Sequence, residues 1–127
     1  MGHAIAQNMA VAGHPVTAYD SSFVTRGNAP DRIKANLKQL VNAQLLQEDS
    51  MIDVLDRITI CDTEQDAVRN ASFITEAIVE DLELKQELFT RVENQVDRST
   101  IIASNTSSFP ITLIAKLMQY PERAIVT

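Results

Sequence analysis

The chain has 127 residues, of which 45% are hydrophobic, and a formal net charge of -6 at pH 7. This length and hydrophobic content predict one globular domain and exclude a long disordered acidic tail. Because the acidic balance repels phosphate and the basic residues form no stripe, we expect no nucleic-acid partner.

The first elements predicted are a helix and a short strand. Apolar residues recur at helical spacing over residues 2–12, and Gly13 then supplies the left-handed conformation that often ends a helix. Residues 15–19 include Val16 and Tyr19 and predict a buried strand, which Asp20 closes.

A helical hairpin is predicted next. Gly27, Asn28 and Pro30 are expected to interrupt any helix that begins before them. An amphipathic stripe of apolar residues then predicts a helix, and its members are Ile33, Leu37, Leu40, Val41 and Leu45. A second short helix is expected over residues 51–57, so that the two helices form a hairpin projecting from the domain.

The rest of the chain alternates strands and helices. Strands are predicted over residues 58–61, 73–79, 100–103 and 124–126, and helices over residues 64–69, 82–96 and 111–118. This alternation favours an α/β fold, in which helices cover both faces of a parallel sheet.

Cysteine content and hydropathy bear on location. The single cysteine, Cys61, cannot form an internal disulfide and lies in an apolar run. No apolar stretch approaches the roughly 20 residues that cross a bilayer. We therefore expect a cytoplasmic protein with no membrane partner.

Two residues near the start have the spacing of a dinucleotide-binding turn. Gly2 is placed to be the last glycine of a G-x-G-x-x-G turn, although the earlier glycines and the first strand are missing. Asp20 lies where a carboxylate would bind the adenosine ribose hydroxyls and repel a 2′-phosphate, which favours NAD over NADP. A single glycine at a helix start is by itself nearly uninformative and could belong to an ordinary chain start. For Asp20, capping of the next segment is an equal alternative.

Polar residues also follow two later strands. Glu76, Glu80 and Lys85 flank a turn at the carboxyl end of a strand. For Glu80 and Lys85, the residue types alone favour a solvated charged pair at a helix start. The run from Ser104 to Ser108 contains hydroxyls and an amide that could bind a nicotinamide ribose or a substrate oxygen. A capping run would have the same composition.

Metal and nucleophilic chemistry are not indicated. His3 and His14 lie near turns without a cluster of other ligands, so we expect no metal site. No set of serine, histidine and aspartate predicts a covalent mechanism.

Three runs together closely resemble one enzyme family. They are MGHAIAQ at the start, TEAIVEDL from Thr75, and ASNTSS from Ala103. With Asp20 and Lys85, they resemble the NAD-binding domain of L-3-hydroxyacyl-CoA dehydrogenases over essentially the whole chain. The resemblance argues against other dehydrogenase families that share the glycine turn.

The resemblance implies a fold and a set of roles. The fold would be a Rossmann-type doubly wound parallel sheet without its first strand, and residues 1–127 would form a partial NAD-binding domain. Gly2 would belong to the pyrophosphate turn and Asp20 would bind the ribose. Glu80 and Lys85 would contact the cofactor, and Ser107 would be catalytic, touching both the nicotinamide side and the substrate oxygen.

The family's reaction oxidises the 3-hydroxyl of an acyl-CoA to a ketone and passes hydride to NAD, as in the β-oxidation of fatty acids. Its catalytic histidine would come directly after Thr127, and its helical carboxyl-terminal domain forms a homodimer. Both are missing from these residues, so we expect the fragment alone to be inactive. Asn36 and Ala43 stand where well-known members have a serine and a lysine for CoA.

Two other functions stay open. The chain could be a non-catalytic relative that binds a nucleotide or CoA in a structural or regulatory role. It could also be a stand-alone helical interaction domain, which requires that the predicted strands at residues 73–79 and 100–103 do not form a parallel sheet.

Overall fold

A computed structural model describes residues 1–127. The chain divides into two compact units, Met1–Ala67 and Val68–Thr127. Every pair of strands is parallel, which confirms the predicted α/β class and excludes the helical interaction domain. No helix combines the length and the apolar character that crossing a membrane demands.

The first unit builds a two-stranded sheet covered by helices. Its elements in chain order are α1 (Gly2–Val11), β1 (Val16–Ala18), α2 (Phe23–Asn42), α3 (Ser50–Asp56), β2 (Ile58–Ile60) and α4 (Glu64–Val68). β1 pairs with β2. Gly13 follows α1 with a φ of 95°, a left-handed conformation that glycine adopts without steric cost, and so the predicted helix stop is confirmed.

The core of this unit is formed by the helices. Ala10 of α1, Ile33 and Leu37 of α2, and Val54 of α3 form one buried cluster. Burial of such a side chain contributes about 1.5–3 kcal/mol through the hydrophobic effect. The predicted stripe is therefore confirmed at Ile33 and Leu37, but it was wrong for Leu45, which is 76% exposed and lies beyond α2. Both helices of the predicted hairpin are present.

The predicted interruption of α2 is wrong. The helix runs without a break through Gly27, Asn28 and Pro30. Pro30 lacks one N–H donor, but these three residues are exposed, so water can satisfy the carbonyl that the missing bond would have used. The helix begins after Ser22, whose Oγ accepts a hydrogen bond from the Thr25 N–H at 3.2 Å.

The second unit builds a three-stranded sheet in the order β3-β4-β5. Its elements are β3 (Phe73–Glu76), α5 (Leu82–Glu93), β4 (Ile101–Ser104), α6 (Ile111–Ile114) and β5 (Ala124–Val126), with short 3₁₀ turns at Ala115–Leu117 and Pro121–Arg123. The register pairs Glu76 with Ser104 and Ser104 with Val126. These three residues therefore mark the carboxyl edge of the sheet.

The opposite, amino edge of this sheet is fixed by two buried charged side chains. Arg123 donates to the carbonyls of Thr100 at 2.9 Å and Asp97 at 2.7 Å. Glu93 accepts hydrogen bonds from the backbone N–H groups of Gln119 at 2.7 Å and of the next residue at 3.2 Å. Hydrogen bonds to charged groups are the stronger ones, so this edge is held rigidly.

Candidate functional site

A buried carboxylate lies at the carboxyl edge of the second unit. Glu76 is 4% exposed and ends β3. Its Oε2 accepts a hydrogen bond from Ser104 Oγ at 2.6 Å, and its Oε1 accepts from Lys85 Nζ and from the Ile78 N–H, both at 2.7 Å. A buried carboxylate is costly unless its oxygens find donors, and here three donors serve the two oxygens.

Lys85 is fully buried beside this carboxylate. α5 begins after Asp81, whose side chain caps the helix by accepting from the Leu84 N–H at 3.0 Å, and the first turn then directs Lys85 inward. Its Nζ lies 2.7 Å from Glu76 Oε1 and 3.3 Å from Glu80 Oε2. The solvated pair favoured by the residue types is therefore wrong for Lys85.

Glu80 connects Lys85 to the loop after β4. Its Oε1 accepts hydrogen bonds from Thr106 Oγ1 and from the Ser108 N–H, the latter at 3.2 Å. The Thr106 hydroxyl, followed by the Lys85 ammonium and the Ser108 N–H, lowers the pKa of Glu80 and outweighs the opposing effect of desolvation. Glu80 is therefore an ionised carboxylate at neutral pH.

Ser107 lies between the two residues that Glu80 holds. It is exposed, whereas Thr106 is buried. Thr106 Oγ1 accepts from the Ser108 and Phe109 N–H groups, both at 3.2 Å, so the capping alternative applies to Thr106. The Asn105 N–H donates to the Glu76 carbonyl at 2.8 Å and fixes the start of the loop. The loop thus presents the Ser107 side chain at the carboxyl edge of the sheet.

Asp20 follows β1 in the first unit and is exposed. Its Oδ1 accepts a hydrogen bond from the Ser22 N–H at 2.8 Å. Because Ser22 itself caps α2, Asp20 orders the turn that precedes the helix and does not serve as its cap.

An arginine stacks next to Asp20. The Arg26 guanidinium lies over the rings of Tyr19 at 5.3 Å and Phe23 at 5.8 Å, and its Nη1 donates to the Asp20 carbonyl at 2.5 Å. Cation–π contacts of this kind hold a guanidinium in place. A fixed positive charge therefore lies beside the Asp20 backbone.

Gly2 begins α1. A Cβ built on it would meet no atom within 4 Å, so no contact within the chain requires glycine there. The role of Gly2 in a pyrophosphate turn stays a prediction. Burial, followed by the charges of the amino terminus and Arg32, lowers the pKa of the neighbouring His3.

The sequence placed Glu76 at a turn and Ser104 and Thr106 in a hydroxyl-rich run, but it did not predict that Glu76 binds Lys85 and Ser104 or that Thr106 binds Glu80. A charged residue at the end of an apolar strand, nine residues before a lysine, was the available signal for Glu76. Only the strand register brings Ser104 next to it, and register is a tertiary property.

Solved structures share this fold. The crystal structure of 3-hydroxybutyryl-CoA dehydrogenase from Escherichia coli superimposes with a TM-score of 0.92 at 33% identity, covering 99% of this chain and 26% of that one. The (S)-3-hydroxybutyryl-CoA dehydrogenase from Ralstonia eutropha gives a TM-score of 0.91 at 31% identity, covering 99% and 44%. The fold is that of a Rossmann-type dehydrogenase, as predicted.

The family follows from sequence comparison. Residues 1–127 match the family model described as the NAD binding domain of 3-hydroxyacyl-CoA dehydrogenase, and the chain belongs to this family. A probable 3-hydroxybutyryl-CoA dehydrogenase of Bacillus subtilis is 36% identical over 125 residues, which are 98% of this chain. The chain spans 43% of the length of that relative. The predicted cofactor, NAD, and the predicted family are confirmed.

Proposed function

We propose that the chain is the NAD-binding part of an enzyme that oxidises an (S)-3-hydroxyacyl-CoA to the 3-oxoacyl-CoA, with hydride transfer to NAD. The observation that carries this proposal is the exposed Ser107, which lies between two residues held by the ionised Glu80. Membership of the 3-hydroxyacyl-CoA dehydrogenase family supports it.

The proposed ribose contact in the first unit is Asp20. Its exposed carboxylate follows a parallel strand and has two acceptor oxygens, which suit a diol, and its charge repels a 2′-phosphate. These features fit NAD better than NADP.

We assign the pyrophosphate to the amino end of α1. The free N–H groups and the dipole of this ten-residue helix favour an anion there. As the last glycine of the turn, Gly2 would let helix and strand pack closely.

The second unit supplies polar groups for the reacting end. When bound, NAD accepts the hydride. The Ser107 hydroxyl donates a hydrogen bond to the substrate oxygen and orients it while the ketone forms. Glu80, whose side chain is 36% exposed, contacts the cofactor, and the fully buried Lys85 acts on the cofactor through Glu80. Together they keep the loop around Ser107 in one conformation.

The general base comes, on this proposal, from outside residues 1–127. The family's catalytic histidine would follow Thr127 directly, and neither His3 nor His14 matches that position. A general base contributes roughly 10² to 10⁴-fold in rate, so we expect these residues alone to bind NAD without turnover.

The remaining assignments follow the family. We propose an acyl-CoA substrate, a homodimeric full-length enzyme in the cytoplasm, and a role in fatty-acid β-oxidation. Cys61 is the chain's single cysteine and cannot form a disulfide within it, which is consistent with a reducing compartment. Gel filtration and cell fractionation of the full-length protein test the dimer and the location.

The test of the activity uses the complete enzyme, meaning this chain with whatever its gene encodes on either side. We expect it to reduce acetoacetyl-CoA with NADH, and much more slowly with NADPH. Binding of NADH without any turnover would instead support the non-catalytic nucleotide-binding relative. Equal rates with the two cofactors would contradict the role proposed for Asp20.

A further inference from the structure

Glu76 joins two parts of the candidate site through hydrogen bonds. One oxygen holds Lys85 at 2.7 Å and the other holds Ser104 at 2.6 Å. Lys85 also contacts Glu80, which binds Thr106 and the Ser108 N–H. The links form a closed ring, because Ser104 and Thr106 belong to the same stretch of chain.

The ring includes Glu80 and Thr106, the side chains that hold the loop on either side of Ser107. It runs through Glu80, which is proposed to contact the cofactor, and through the buried Lys85 that holds Glu80. Glu76 is its most buried carboxylate, with 1% of its side chain exposed, whereas the Glu80 side chain is 36% exposed. The geometry of the ring therefore depends on Glu76, since a partly exposed group can exchange its partner for water and a buried one cannot.

We infer that Glu76 is a positioning residue for the proposed dehydrogenase reaction: through Lys85 and Ser104 it fixes the loop that presents Ser107. This inference rests on the proposed function. Glu76 is too buried to touch substrate or cofactor, so it acts only through its neighbours.

The charges explain how a change at Glu76 reaches the loop. Lys85 carries one positive charge between two carboxylates. Without the charge of Glu76, the buried ammonium has only Glu80 as its counter-ion and attracts it more strongly. Glu80 then moves toward Lys85 and weakens its bonds to Thr106 and the Ser108 N–H.

Glu76→Gln removes the charge and keeps the shape. The amide oxygen can still accept from Lys85 and Ile78, and the amide nitrogen can donate to Ser104 Oγ. A matched control is Glu93→Gln, because Glu93 is also buried in this unit but accepts two N–H groups at the amino edge. Both variants remove one buried charge.

In the complete enzyme, we expect Glu76→Gln to lower kcat for acetoacetyl-CoA reduction by about tenfold or more, with a smaller change in the KM for NADH. Glu93→Gln leaves the kcat per folded molecule unchanged. If the two variants lose activity only in proportion to their unfolded fractions, Glu76 has a structural role and the inference is wrong.

A double variant tests the route through the lysine. If Glu76 acts through Lys85, Glu76→Gln has little further effect on kcat in a Lys85→Met background, so the two changes are not additive. The same tenfold loss in both backgrounds would contradict the inference.

Hydrogen exchange gives a readout that needs no activity. In the complete enzyme, Glu76→Gln should speed exchange of the Ser108 and Phe109 amides, and Glu93→Gln should not. Should Glu76→Gln fail to fold, Ser104→Ala breaks only one link of the ring and should speed exchange of the same amides. Unchanged exchange of the Ser108 and Phe109 amides would contradict the inference. A wild-type enzyme that is inactive on acetoacetyl-CoA would contradict only the proposed function.

Discussion

Lys85 and Glu76 form an ion pair that is closed to solvent, with Nζ 2.7 Å from Oε1 and side-chain exposures of 0% and 1%. The pair ties the first turn of α5 to the end of β3. The net benefit of such a pair is small because both charges were desolvated, but loss of one partner leaves the other charge buried alone.

Lys85→Met should therefore destabilise the chain by about 3–5 kcal/mol, because Glu76 is left without its counter-ion. Urea unfolding followed by circular dichroism measures the change. Adding Glu76→Gln should restore part of the lost stability. Lys116 is exposed, so Lys116→Met serves as the control and should change stability by less than about 0.5 kcal/mol. Equal effects at the two lysines would contradict the buried ion pair.

Thr106→Val should raise the pKa of Glu80, because the Thr106 hydroxyl is the main cause of its lowered value. A carboxyl group with a lowered pKa stabilises the fold at neutral pH, and that stabilisation is lost as the pH falls through the folded-state pKa. The variant should therefore lose less stability on acidification. Carbon-13 NMR titration of Glu80 measures the shift, with the exposed Thr112→Val as the control. No shift would mean that the Thr106–Glu80 hydrogen bond is absent in solution.

Ser107→Ala should lower turnover of the complete enzyme by on the order of 10²-fold, with little effect on NADH affinity, because the hydroxyl acts on the substrate oxygen. Steady-state kinetics and NADH titration separate the two quantities. Ser108→Ala is the matched control, since Ser108 contacts Glu80 through its backbone N–H, which alanine keeps. Similar losses in both variants would assign the effect to the loop and not to the Ser107 hydroxyl.

Asp20→Ser should shift the preference of the complete enzyme toward NADPH by about tenfold, which corresponds to ~1.4 kcal/mol. The change removes the charge that repels a 2′-phosphate, and the Arg26 guanidinium lies close enough to the Asp20 backbone to attract one. The double variant with Arg26→Gln should lose this gain. Rates with NADH and NADPH decide the matter, and a gain that persists without Arg26 would exclude its contribution.

The parts of the fold that sequence predicted well are those with a clear period. The stripe through Ile33 and Leu37 gave a helix because these two members are buried in one core, whereas Leu45 is 76% exposed and lies beyond the helix. The interruption expected at Pro30 does not occur. Burial of Ile33 and Leu37 stabilises the helix after the proline, and water can bind the carbonyl that the proline leaves without an N–H partner. Local propensity was overridden by tertiary packing.

The candidate site was harder to predict. Glu80 and Lys85 were located by their family positions, but their residue types indicated a solvated pair. Burial of Lys85 depends on the pairing of β3 with β4, which brings Ser104 and Glu76 together. Such contacts join residues far apart in sequence, and no local pattern records them. The roles of Gly2, Asp20, Glu80, Lys85 and Ser107 toward NAD and substrate stay predictions.

Ser104 contacts both of its neighbouring strands through different atoms. Its hydroxyl binds Glu76 on one side, and its carbonyl accepts from the Thr127 N–H at 3.0 Å on the other. The side chain is fully enclosed, so a larger one would have to push apart two strands at once. Position 104 should therefore be among the least permissive sites in a saturation mutagenesis screen, even though its side chain is fully buried and does not contact a ligand directly.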